Sequence, residues 1–77
     1  MDIGQGLELA RLRALLASGS ARSIRRAHGL SLRETGDIVG VGPATILRWE
    51  RGDRVPRPSK EAFAYWELLR ELMEESG

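Results

Sequence analysis

Arginine supplies most of the chemistry available to this 77-residue chain. Eleven basic side chains, Arg11, Arg13, Arg22, Arg25, Arg26, Arg33, Arg48, Arg51, Arg54, Arg57 and Lys60, lie between residues 11 and 60. They face only Glu34, Asp37, Glu50 and Asp53. That segment carries +7, whereas residues 1–10 carry −2 and residues 61–77 carry −4, so the overall charge of +1 conceals the asymmetry. A cationic middle beside an acidic tail fits a polyanion-binding face with an opposite pole. It equally fits a solvated arginine-rich surface, and charge alone does not separate the two.

Other chemistries have little to work with. No cysteine means no disulfide framework, no thiol nucleophile and no thiolate zinc site. His28 is the sole histidine, which leaves no histidine metal cluster. At the end of a helix it suits capping, favoured by the helix dipole. The acids and hydroxyls offer neither a nucleophile–base pair nor a convincing carboxylate pair, and so short a chain is small for a sealed pocket. No catalysis, metal or cofactor is expected. Apolar runs reach no more than five residues, against the ~20 that a membrane span needs. The N-terminus lacks the basic and apolar blocks of a secretion signal, so a cytosolic domain is the default.

Positioning those arginines falls to helices. A chain of this length buries only about 60% of its unfolded surface, enough for one modest core and one domain over residues 1–77. Leu7, Leu9, Leu12, Leu15 and Leu16 predict a first helix over about 6–17, ending at Ser18-Gly19. Ser20 reads as the cap of a second helix from Ala21 to His28, with Ile24 and Ala27 inward and Leu30 plugging the core after Gly29. Ser31 and Glu34 have the spacing of a capping box at the head of a third helix, about 32–39. Thr35 and Gly36 weaken that helix by propensity, and Gly36 is explained by another helix crossing too closely for a β-carbon. Pro43 suits the first position of a fourth helix, about 43–51, with Ile46 and Trp49 buried and Thr45, Arg48 and Ala44 outward. Pro56 and Pro58 stiffen the following loop. Ser59 then caps a last helix, about 60–74, whose stripe is Phe63, Trp66, Leu69 and Met73, widened by Tyr65, Leu68 and Leu72.

Residues 31–52 are therefore two short helices joined by Gly40-Val41-Gly42. That length and turn match a helix-turn-helix, whose second helix lies in the major groove of DNA. Gly40 takes a turn conformation costly for other residues, and Val41 fills the space between the helices. Helical corners also serve as scaffolding, so periodicity leaves DNA binding as one of two readings.

The runs Gly29-Leu30-Ser31-Leu32-Arg33-Glu34, Val39 to Ile46, and Arg48-Trp49-Glu50-Arg51-Gly52 resemble the Cro/repressor-type, or Xre-like, helix-turn-helix family. The closest likeness is to small actinobacterial and phage versions, and it covers roughly residues 21–75. It implies an all-α, five-helix, repressor-like DNA-binding domain in the cytoplasm of a prokaryotic or phage-infected cell. By position, Pro43, Ala44, Thr45 and Arg48 fall on the groove-facing side of the reading helix. Arg48 is the strongest base-reading candidate, since a guanidinium pairs with guanine in bidentate fashion; a solvated arginine is the alternative. Arg33, Arg51, Arg54, Arg57, Lys60, Arg22 and Arg26 suit phosphate contacts, which position without reading sequence. Leu32 stands where the family often has a phosphate-contacting glutamine, and Thr35 where a larger aliphatic residue is usual. The Thr35 hydroxyl is expected to bond a carbonyl one turn back. Arg25 and Glu50 match a family pair that ties the second helix to the end of the fourth.

The resemblance implies a transcriptional repressor bound to double-stranded DNA. With no ligand-sensing domain in the chain, it is expected to respond to its own concentration, to partners or to proteolysis. Useful specificity normally takes two copies on a pseudopalindrome. Tyr65, Leu68, Leu72 and Met73 are the candidate dimer surface, with Leu7, Leu12 and Leu16 competing. The alternatives are a partner-dependent antitoxin or phage accessory factor, which has a second protein partner, and a protein-interaction module without DNA.

Overall fold

Five helices account for the secondary structure in the computed structural model, which describes residues 1–76. They are α1 (Ile3–Ser18), α2 (Ser20–Ala27), α3 (Leu32–Val39), α4 (Pro43–Arg51) and α5 (Lys60–Ser76). The expected all-α, five-helix architecture is what forms.

Helix α1 begins three residues before its predicted start. Asp2 Oδ1 accepts from the Gln5 amide at 2.7 Å, and Gln5 Oε1 accepts from the Asp2 amide at 3.3 Å. This reciprocal cap offsets the low propensity of Gly4 and Gly6. Leu9, Leu12 and Leu16 are buried, and each such leucine contributes roughly 1.5–3 kcal/mol. Leu12 and Leu16 are thus core, not an association surface; of that trio only Leu7 is exposed.

Gly19, in the left-handed region at φ 84°, closes α1 and directly precedes α2. Ser20 is the first residue of α2 rather than its cap. Its amide is held by Ser18 Oγ at 3.3 Å. Ala21, not Ala27, is the buried alanine of α2; Ala27 is exposed and Ile24 half-buried.

Helix α3 has the expected bounds and cap: Ser31 Oγ accepts from the Glu34 amide at 2.9 Å, and Glu34 Oε1 accepts from the Ser31 amide at 3.0 Å. Those bonds hold the Glu34 carboxyl below its usual range, the Ser31 amide acting more strongly than the hydroxyl. Thr35 is fully buried, but its hydroxyl has no hydrogen-bond partner, so the expected bond to a carbonyl does not form.

Helix α5 is capped by Ser59 Oγ, which accepts from the Ala62 amide at 3.1 Å. It packs against α1, α2 and α3 at once, so its buried face is broad: Ala62, Tyr65, Trp66, Leu69 and Leu72. Phe63 and Met73, predicted to lie in the centre of the stripe, are half-buried at its margins. Tyr65 is wholly buried and Leu72 nearly so, which withdraws both from the candidate dimer surface. Leu68 and Met73 remain half-buried on separate sides. Leu68 lies in a groove with Ile38 and Ala64, and Met73 in one with Ile24 and His28.

Candidate nucleic-acid interface

The corner between α3 and α4 is built from backbone sterics. Gly40 sits at φ 98°, and the Gly36 carbonyl accepts from the amides of Gly40 (2.7 Å) and Val41 (3.0 Å). A β-carbon on Gly36 would lie 2.5 Å from the Val41 carbonyl oxygen and 3.3 Å from the Gly42 carbonyl carbon. The obstacle is therefore the chain's own turn, not a crossing helix. Gly42 is extended ahead of α4, and Pro43 takes the first helical position, where its missing N–H is no loss.

Three residues seat α4 from beneath: Ile46, Trp49 and Glu50 are buried. Glu50 receives a bidentate guanidinium, with Arg25 Nε at 2.7 Å and Nη2 at 2.9 Å, so the expected pair forms. Arg25 Nη1 also donates to the Leu30 carbonyl at 2.7 Å. The Tyr65 hydroxyl donates to Glu50 Oε2 at 2.8 Å, and its ring stacks near Trp49 with centroids 6.1 Å apart. Burial first, then the adjacent Glu50, drive the Tyr65 phenol well above its ordinary pKa, so it stays a donor. The hydrogen bond from Arg25 to Glu50 likewise raises the arginine pKa. A buried carboxylate needs several donors, and Tyr65 is the one aromatic in α5 with an O–H to give. That need was the available signal for its role.

On the opposite side of α4, Pro43, Ala44, Leu47, Arg48 and Arg51 are exposed. Positions 44, 47, 48 and 51 share one helix face. Leu47, 37% exposed, joins this face without having been expected there. Thr45 is half-buried and turns to a groove of ≈ 560 Å³ that it lines with Trp49, Arg54, Val55, Arg57 and Ser59. The structure thus gathers Thr45, Arg54 and Arg57 into one cleft beside α4. Arg51 stands 3.7 Å from Asp53 in an exposed pair. Lys60 is exposed in another groove that Glu8 and Glu67 also line, an acidic setting for a phosphate partner. Arg22 and Arg26 are exposed on α2, and Arg33 on α3.

The loop after α4 is tied at its start. Gly52 is left-handed at φ 79°, and the amides of Asp53 and Arg54 both donate to the Arg48 carbonyl, at 3.0 and 3.3 Å. Further along, the buried Pro56 offers its carbonyl to Arg13 of α1, at 3.1 Å from Nε and 2.8 Å from Nη2.

A family model for the helix-turn-helix matches residues 22–60, from α2 through the arginine loop. The chain belongs to the helix-turn-helix family. Its members are non-catalytic DNA-binding regulators, so the chain has a DNA-binding regulatory role and is not an enzyme. No curated protein matches the chain, and no solved structure does. Among the described residues, no group of three or more His, Cys, Asp or Glu could hold a metal, and no helix is long and apolar enough to cross a membrane. His28 closes α2 and turns to the last turn of α5, with Nε2 2.7 Å from Ser76 Oγ and Nδ1 3.9 Å from Glu75.

Proposed function

We propose that this helix-turn-helix protein is a sequence-specific repressor of transcription that reads the major groove with α4. One observation carries the reading: Arg48 is exposed on the face of α4 opposite the buried Ile46, Trp49 and Glu50. A helix seated so firmly from beneath can present a guanidinium to guanine O6 and N7 with little loss of freedom. Ala44 and Leu47 offer apolar contact, as to a thymine methyl, and Pro43 adds shape but no donor. Thr45 stands between base and backbone contacts. Arg54 and Arg57, in the cleft beside it, take phosphates, with Arg51, Arg33, Arg22 and Arg26 extending the cationic surface. Lys60 is the weakest member of that set because Glu8 and Glu67 share its groove.

So few polar groups on the reading face place part of the specificity in DNA shape and in a second copy on a pseudopalindromic site. Duplex binding measured across a salt series tests the proposal. The logarithm of affinity should fall linearly with the logarithm of salt concentration, by about 0.9 for each phosphate neutralised. Absent or salt-indifferent binding would overturn it in favour of a protein-interaction module.

A further inference from the structure

We infer that Arg13, on α1, is a positioning residue for DNA binding: it holds the loop that carries Arg54 and Arg57. This rests on the DNA-binding reading above. The loop from Asp53 to Ser59 has neither helix nor strand, and Pro56 and Pro58 have no amide to donate. Its described main-chain hydrogen bonds lie at its ends, from Asp53 and Arg54 to Arg48, and from Phe63 to Ser59. Between those ends, the bonds that fix it are the two from Arg13 to the Pro56 carbonyl, across 43 residues of sequence.

Pro56 lies between the two loop arginines in sequence. An immobilised Pro56 therefore limits where Arg54 and Arg57 can swing. Beneath the clamp, α1 and the loop share an apolar groove of ≈ 320 Å³ lined by Arg13, Leu16, Trp49 and Val55 among others. The Arg13 stem belongs to this packing while its head bridges to the loop. Helix α1 lies outside the matched span of residues 22–60, so the clamp is an addition to the family unit. A loop ordered before it meets DNA loses less entropy on binding.

Arg13→Met keeps the stem and removes the donors. Two readouts test the role, with thermal unfolding by circular dichroism confirming the fold. The first needs no DNA: trypsin cleavage after Arg54, where Val55 follows, should accelerate in Arg13→Met, while the Arg57-Pro58 bond stays resistant. The second is duplex affinity of wild type, Arg13→Met, an Arg54→Gln/Arg57→Gln double variant, and all three changes together. Arg13→Met should weaken binding about tenfold and leave the salt slope nearly unchanged, whereas the double variant lowers the slope by nearly two. In the double background, Arg13→Met should cost nothing further. Arg13→Lys, whose ammonium can replace the two bonds to the Pro56 carbonyl with a single one, should restore part of the affinity, and it serves as the probe if Arg13→Met does not fold.

Unchanged cleavage and unchanged affinity overturn the inference. So do losses that multiply in the combined variant, which would make Arg13 a direct phosphate contact. If wild type binds no duplex, the DNA reading fails, and the cleavage rate still decides whether the clamp exists.

Discussion

The two ends of α4 are held by different physics. At its N-terminal end everything that shapes the corner lies within eight residues: Gly36 without a β-carbon, Gly40 in the left-handed region, Pro43 at the first helical position. At its C-terminal end the partners come from far along the chain. Glu50 meets Arg25 and Tyr65, and Pro56 meets Arg13. The front of α4 is set by sterics and the rear by hydrogen bonds to charge. A β-carbon at Gly36, 2.5 Å from a backbone oxygen, obliges the turn itself to shift. A buried charge stripped of its partner has no such relief.

The largest expected effect breaks the rear. Arg25→Met leaves the Glu50 carboxylate buried with only the Tyr65 hydroxyl, and should cost about 3–5 kcal/mol in urea unfolding. For a domain this small that is a large share of the total stability. A loss below about 1 kcal/mol would mean that the pair is solvated and that the contrast is false.

The front should yield less. Gly36→Ala drives a methyl against the Val41 carbonyl, and a cost of about 1–3 kcal/mol is expected from the same unfolding measurement. Gly6→Ala is the control. It is also a helical glycine, but a β-carbon there meets nothing within 4 Å, so the change should stabilise by about 0.5–1 kcal/mol. Equal signs for the two alanines would remove the steric account of the corner.

The smallest effect concerns the cap of α3. The Glu34 carboxyl is held below its ordinary pKa in the folded state, so its contribution is complete above the ordinary carboxylate range and is lost as pH falls through the folded value. The stability gap between wild type and Glu34→Gln should therefore narrow between about pH 6 and pH 3. A gap that widens on acidification contradicts the cap.

The same division explains what could be read from residue order. The capping box of Ser31 and Glu34, the Gly40 turn and Pro43 act over a few positions, and α3 and α4 have their expected bounds. Gly36 shows the limit: its need for space is legible, but the atom that occupies the space is not. Ser20 looks like a cap by type, yet Gly19 in the left-handed region makes the junction. Gly4 and Gly6 argue against helix and hide the Asp2–Gln5 cap. In α5, apolar residues on three sides give no centre to the stripe, so Tyr65 reads as surface until its hydroxyl is seen on Glu50. The orphaned Thr35 hydroxyl has no sequence signal at all.

The exposed set of Arg48, Ala44 and Pro43 was legible because burial of Ile46 and Trp49 fixes the phase of the helix. Leu47 completes that face and should have followed from the same phase. Arg13 could not have been found this way, because its partner is a main-chain carbonyl remote in sequence.

The role of Arg48 is tested most directly by selecting preferred sites from randomised duplex with wild type and with Arg48→Ala, at one salt concentration. A base-reading guanidinium predicts that the variant loses preference at one or two base pairs in each half-site while the remainder of the site persists. Identical preferences at every position would show that Arg48 reads no base, and the reading face of α4 would have to be sought elsewhere.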